Sequence, residues 1–143
     1  MIRRTLLAAL PAAILMRASP LRAAPNDTIR LRDLYNKDTS FSDLALANQG
    51  LRVNIGGFMA PPLKAESVFF VLTKMPMAVC PFCEPGMPWP DDLLAVYAKR
   101  VIEVIPFNVA ITVSGLLELG DYTDPELGFF SKVRLTDATY ARA

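Results

Sequence analysis

Asn108-Val-Ala-Ile-Thr-Val-Ser-Gly-Leu-Leu-Glu-Leu119 is the stretch on which the fold turns. Val109, Ile111, Val113, Gly115, Leu117 and Leu119 fall on one side, opposite Ala110, Thr112, Ser114 and Glu118. That period of two describes a strand with one buried face. A glycine in its middle marks a coil or bulge, where a missing side chain lets another backbone approach. The pattern recurs upstream: Leu51, Val53, Ile55 and Gly57 alternate with Arg52, Asn54, Gly56 and Phe58 until Pro61-Pro62 stops the strand. Ser67 to Thr73 is almost continuously apolar, β-branched and aromatic, and so reads as a central strand. Leu93 to Ala98 reads as a third strand, with a short helix as the rival, and Val101 to Ile105 is ambiguous. Gly120 to Pro125 is rich in turn residues, and Phe129 to Tyr140 supplies a last alternating strand.

Ahead of these strands, Ile29, Leu31 and Leu34 are apolar contacts of a short extended arm. Phe41, Leu44 and Ala45 then stand at helical spacing after Asp38-Thr39-Ser40. A helix of one or two turns, ended by Asn48-Gln49-Gly50, is expected to plug one end of the sheet. About five strands with mid-strand glycines and no strong crossover helix predict an all-β fold: a small coiled antiparallel barrel of the oligonucleotide-binding (OB) type. A compact β-sandwich is the alternative. There is no internal repeat.

The chain opens Met1-Ile2-Arg3-Arg4, runs through apolar residues from Leu6 to Met16 and reaches Ala23-Ala24, the layout of a secretory signal. The apolar run is too short to span a bilayer as a mature helix. Arg3-Arg4 also fits the twin-arginine variant, which implies export after folding. Cleavage after Ala23 leaves residues 24–143 as a single domain in the periplasm. No second long apolar run follows, so no stable membrane insertion of the mature chain is expected. That piece has 11 basic and 14 acidic residues; 11 less 14 gives −3. A mildly acidic exported domain is a poor nucleic-acid binder, because such binding rests on basic patches that neutralise phosphate.

Both cysteines lie in Met75-Pro-Met-Ala-Val-Cys-Pro-Phe-Cys-Glu-Pro-Gly-Met-Pro-Trp-Pro90, with three of the six methionines, the only tryptophan and five of the twelve prolines. Prolines this dense remove backbone donors and fix φ, so no regular helix spans the stretch and it reads as a stiff loop presenting two sulfurs. Three readings stay open. Cys80 and Cys83 form a structural disulfide after export, of modest stabilising effect because the closed loop is small. Or they are the redox pair of a thiol-disulfide oxidoreductase, against which stand the missing βαβ frame and the Glu84-Pro85 that follows. Or they bind a soft metal: two thiolates with Met75, Met77 or Met87 suit Cu(I), and with Glu84 or Asp91 they form part of a zinc site. The methionines could equally fill gaps in a small core. Trp89 reads either as an anchor for a partner or as a ring capping the barrel mouth. Asp91-Asp92 and Lys99-Arg100 read as solvated turns. The chain has no histidine to act as a base and no Gly-x-Ser-x-Gly elbow, so a hydrolase has no support.

Gly50-Leu-Arg-Val-Asn-Ile-Gly-Gly-Phe-Met-Ala-Pro-Pro-Leu63, then Val68-Phe-Phe-Val-Leu72, a cysteine, a proline-rich loop and Leu94-Ala-Val-Tyr97, resemble the exported domain-of-unknown-function family 3299. The resemblance covers the chain from Leu31 onward. It implies proteins found beside ABC-type permease components, some linked to metal uptake, whose loop commonly carries a histidine after its cysteine. This chain departs from that pattern with a second cysteine in place of the histidine. The combined expectation is an exported binding or accessory module serving a transporter component or another periplasmic protein, with copper or zinc as the metal, working through Cys80, Cys83, Met77 and Met87.

Overall fold

The structure, a computed structural model, describes residues 27–62, 64–78 and 93–143. Residues 1–26, with the expected signal segment, and residues 79–92, with Cys80, Cys83, Met87 and Trp89, lie outside the described residues. Six strands form one sheet: β1 (Thr28–Arg30), β2 (Arg52–Met59), β3 (Phe69–Thr73), β4 (Leu93–Ala98), β5 (Ala110–Thr123) and β6 (Phe130–Arg142). Between β1 and β2 lie a 3-10 turn, Leu31–Leu34, and the helix α1, Asp43–Asn48. No helix among the described residues is long and apolar enough to cross a membrane.

The sheet runs β1-β2-β3-β4-β6-β5, and β5 pairs back onto β2 from Arg52↔Leu116 to Phe58↔Ala110. Ring closure makes this a barrel of five strands, β2 to β6, not a sandwich. β6 lies between β4 and β5, the Greek-key arrangement of an OB-type barrel. One expectation needs correcting: pairing is not antiparallel throughout, since β4 and β6 run parallel, as do β1 and β2. A closed ring with an odd number of strands cannot alternate direction all the way round, so one parallel seam is unavoidable.

The two mid-strand glycines stand where the ring bends. A Cβ on Gly57 would lie 2.6 Å from the carbonyl oxygen of Thr73, where β2 leaves β5 and begins to pair with β3. Gly115 sits at a register shift between β5 and β6, and a Cβ there would meet the Cβ of Leu135 at 3.0 Å. Opposite it, Asp137 takes φ 50° as the extra residue of the bulge. Such a conformation is uncommon for a non-glycine residue. Arg52 holds it there, its guanidinium donating to the Asp137 carbonyl oxygen at 3.2 Å and to Oδ2 at 2.7 Å, while Lys99 approaches Oδ2 at 3.4 Å.

Val53, Ile55, Phe70, Leu72, Leu94, Val96, Ile111, Val113, Leu117, Val133 and Leu135 fill the barrel. Leu31, Leu34 and Ala45 join the same core, so α1 is the expected plug; Leu31–Leu34, expected as part of an extended arm, instead close a 3-10 turn that seats both leucines in that core. Ser42 caps α1: its Oγ accepts from the Ala45 N–H at 3.2 Å and donates to the Asp33 carbonyl at 2.6 Å. Two boundaries differ from expectation. Gly120, at φ 115°, accommodates a bulge instead of ending the strand, so β5 continues through Tyr122 to Thr123 and the turn falls at residues 124–129. Phe129, expected as the first residue of the last strand, instead precedes β6 and packs outside the barrel. The ambiguous stretch Val101 to Ile105 is neither helix nor strand, but Tyr140 ties it to β6: the Glu103 N–H donates to the Tyr140 hydroxyl, which donates to the Glu103 carbonyl, at 2.7 and 2.8 Å.

Candidate functional site

The outer face of the β3–β4 hairpin is the most developed surface feature of the described barrel. These strands pair antiparallel from Phe69↔Tyr97 to Thr73↔Leu93. Alternation sends Phe70, Leu72, Leu94 and Val96 inward and Phe69, Val71, Leu93, Ala95 and Tyr97 outward. A strand buried on one side would carry polar residues outside. Here the outward set is buried too, in a second cluster with Ala60 and Phe129, against which Tyr97 and Leu127 pack. Phe69 lies at the centre, its ring 5.1 Å from both Tyr97 and Phe129.

Asp124 pins this outer layer. Oδ1 accepts from the N–H groups of Glu126 at 2.8 Å and Leu127 at 2.9 Å, the self-closing turn that Asp before Pro favours. Oδ2 accepts the Tyr97 hydroxyl at 2.9 Å, joining the β5–β6 turn to β4. Burial works to raise the Asp124 pKa, yet the two N–H groups, the Tyr97 hydroxyl and the charge of Lys64 together bring it below the usual carboxylate range. Tyr97 moves the other way: burial and then the hydrogen bond to Asp124 push its phenol well above the ordinary tyrosine value.

Beside the turn stands Arg134 of β6. Its side chain is only 10% exposed and pairs with Glu118 at 3.1 Å. It also donates to the Gly120 carbonyl at 2.9 Å and to Ser131 Oγ at 3.2 Å, and its guanidinium lies 4.9 Å from the centre of the Tyr122 ring. Tyr122 meets Tyr97 edge-on at 6.4 Å, so a continuous run of rings and hydrogen bonds links Arg134 to Asp124. Between this turn and residues 64–68 lies an open cleft of about 340 Å³ bordered by Lys64, Glu66, Phe69, Tyr97, Asp124 and Glu126. Glu66 stands on its rim at φ 53°. An aromatic wall with a charged rim can hold a ligand. The Asp124 carboxylate is already occupied on both oxygens, which leaves it as a clamp and not a base.

Cys80, Cys83 and Met87 of the sequence-predicted site fall outside the described residues and are placed only by their connection along the chain. Residues 79–92, with Cys80, Cys83 and Met87, connect the Thr73 end of β3 to the Leu93 end of β4, whereas the cleft lies at the Phe69 and Tyr97 end. Four residues of strand, ~13 Å, separate the two ends. On the approach to the loop, Met75 is exposed, its carbonyl accepting the Thr73 hydroxyl at 2.7 Å, and Met77 is half-buried. Among the described residues no three of His, Cys, Asp and Glu gather as a metal site. Sequence reading missed Tyr97, Asp124 and Arg134. Asp124-Pro125 before Gly128 was the only local signal, and it announced a turn without saying what the turn would lie upon.

No protein-family model matches the chain, and no curated protein does. Among solved structures, a crystal structure of a DUF3299 family protein from Pseudomonas aeruginosa PAO1 is similar at 15% identity with a TM-score of 0.51, over 85% of this chain and 99% of that one. The closed ring therefore has a DUF3299-like fold, that of a domain of unknown function.

Proposed function

We propose that this chain is an exported binding module of the periplasm, an accessory to a membrane transport system, which takes a soft metal ion at the loop joining β3 to β4. The observation that carries the reading is the mount of that loop. β3 is buried along all five residues and β4 along its first four, so the two ends of the sulfur-bearing segment emerge from strands packed on both faces. The prolines of the connection limit the ordering cost of bringing Cys80, Cys83 and Met87 to one ion, and exposed Met75 on its approach offers a further thioether. Two thiolates with thioethers make a donor set suited to Cu(I). An exchange enzyme of the thioredoxin type fits less well, because its active cysteines open a helix within a βαβ unit, whereas β3 and β4 are antiparallel neighbours.

Cu(I) competition against bicinchoninate tests this on reduced protein lacking residues 1–23. The expected result is one Cu(I) retained per chain, lost in Cys83→Ser and weakened in Met77→Leu. Should the reduced wild type retain no copper, and the untreated protein hold both thiols in a slowly reduced bridge, the cysteines are a structural disulfide and the metal reading fails.

A further inference from the structure

A second surface lies on the opposite side of β4, where the parallel seam of the barrel comes apart. β4 last pairs with β6 at Ala98↔Ala138, after which β4 turns away and β6 continues to Arg142. From there β6 keeps β5 on one side only, in register from Ser114↔Thr139 to Ile111↔Arg142. The Ala143 N–H donates to the Ala110 carbonyl at 3.0 Å, which fixes the phase of that ladder. Antiparallel pairs alternate between bonded and non-bonded, so Ala141 and Thr139 face β5 while the N–H and C=O groups of Tyr140 and Arg142 point away from it. The Lys99 N–H donating to the Ala138 carbonyl at 2.9 Å marks the last closed rung of the seam. Beyond it, among the described residues, no backbone group pairs with the outward edge at Tyr140 and Arg142.

The edge borders a groove of about 590 Å³ whose far wall is the irregular segment Lys99 to Glu103. The Tyr140 hydroxyl, bonded to both backbone groups of Glu103, holds that wall in place. Val101 is 56% exposed on the wall and Val104 64% exposed just beyond it. Lys99, Arg100 and Glu103 line the groove, and Arg142 stands further along the β6 edge, at the end of the strand. Lys99 already approaches Asp137, whereas Arg100 and Arg142 have no acidic partner among the described residues.

We infer that this edge accepts an extended, acidic segment of a partner protein as an added strand. Tyr140 and Arg142 supply the backbone ladder, Val101 the apolar contact, and Arg100 and Arg142 the charge that selects glutamate- or aspartate-bearing sequences. An unpaired strand edge is a ready template for such pairing, and strand addition takes affinity from main-chain bonds and specificity from alternate side chains. A second copy of this chain fits poorly, because a two-fold pairing of β6 edges would bring the same arginines together.

The probe is a blocked peptide of alternating valine and glutamate, titrated into the mature protein at low salt and followed by amide resonances. The expected result is shifts at Tyr140 and Arg142 with slowed exchange of both amides, and affinity at least tenfold weaker for the same peptide with lysine replacing glutamate. Arg142→Pro removes the outward-facing donor together with the guanidinium and should abolish binding without unfolding the barrel, while Arg142→Gln, which keeps the donor and loses the charge, should weaken it only several-fold. Three results overturn the inference: no shift at those amides at millimolar peptide, equal binding of the two peptides, or both amides already protected in the protein alone, which would mean that another part of the chain or a second copy holds the edge.

Discussion

The two faces of the β3–β4 hairpin are both buried, but by different means. Inside, Phe70, Leu72, Leu94 and Val96 are covered by strands closed into a ring, where every neighbour is fixed by other ladders. Outside, Phe69 and Tyr97 lie beneath the turn at residues 124–129, which the Asp124 carboxylate ties to Tyr97, two backbone hydrogen bonds close, and the Phe129 ring seats on Phe69. A closed ring can yield only by opening as a whole. A turn fixed by one carboxylate and one ring can lift alone. The lesson is that the outer layer of this hairpin can open by itself, while the inner layer is fixed by the ring.

The comparison breaks most visibly if large rings are removed from each side. Phe70→Ala should cost ~3–5 kcal/mol, the range for a fully buried phenylalanine in a core unable to collapse. Phe69→Ala should cost less, because the overlying turn can settle inward; equal losses by denaturant titration would erase the distinction. Gly57→Ala comes next at ~1–3 kcal/mol, as a Cβ 2.6 Å from the Thr73 carbonyl forces β2 and β3 apart.

Asp124→Ala should cost ~1–2 kcal/mol by removing a cap from two N–H groups and the partner of Tyr97. The loss should appear as faster amide exchange at residues 126–128, with β2 and β5 unchanged. Because folding lowers the Asp124 pKa, its contribution is complete above the ordinary value of 3.8 and disappears as pH falls through the lower folded value. Asp124→Asn should therefore flatten the acid limb of the stability curve. Tyr97→Phe should cost ~1 kcal/mol through one lost hydrogen bond. With the phenol pKa raised, that tyrosine contributes stability fully below about pH 10, lost as pH rises toward the folded value, and an absorbance titration should show a late-ionising tyrosine that is missing in Tyr97→Phe, while Tyr140, also raised by burial, remains. Asp137→Gly has the smallest expected effect, within ~0.5 kcal/mol, since glycine eases the left-handed conformation while surrendering exposed pairs with Arg52 and Lys99.

The barrel was legible in the sequence because its strands announce themselves locally. Alternation in β2 and β5, the apolar run of β3 and the mid-strand glycines each reflect one side chain against one backbone. Gly57 and Gly115 read as bends from their place in the alternation, and the plugging helix with Ala45 follows from spacing, whereas the turn of Leu31–Leu34 does not, since those leucines read as an extended arm. The parallel seam was not legible, as it follows from the parity of a closed ring and not from any residue in β4 or β6. The outer layer was hidden for a related reason. Phe129, Asp124 and Tyr97 are separated by at least five residues from one another and meet only after the ring closes, and Arg134 meets Tyr122 and Glu118 only across the strand pair. Cys80 and Cys83, the loudest signal in the chain, identify a segment joined to this hairpin without specifying its chemistry.

Native-state amide exchange across the barrel tests the unequal faces most directly. The account predicts that amides of β2, β5 and the inner-core pairs exchange only by global unfolding, while residues 124–129 open at a distinctly lower free energy that falls further in Asp124→Ala. If the turn and the ring exchanged at one common free energy, and Asp124→Ala moved both together, the outer layer would be an inseparable part of the core and the account would be contradicted.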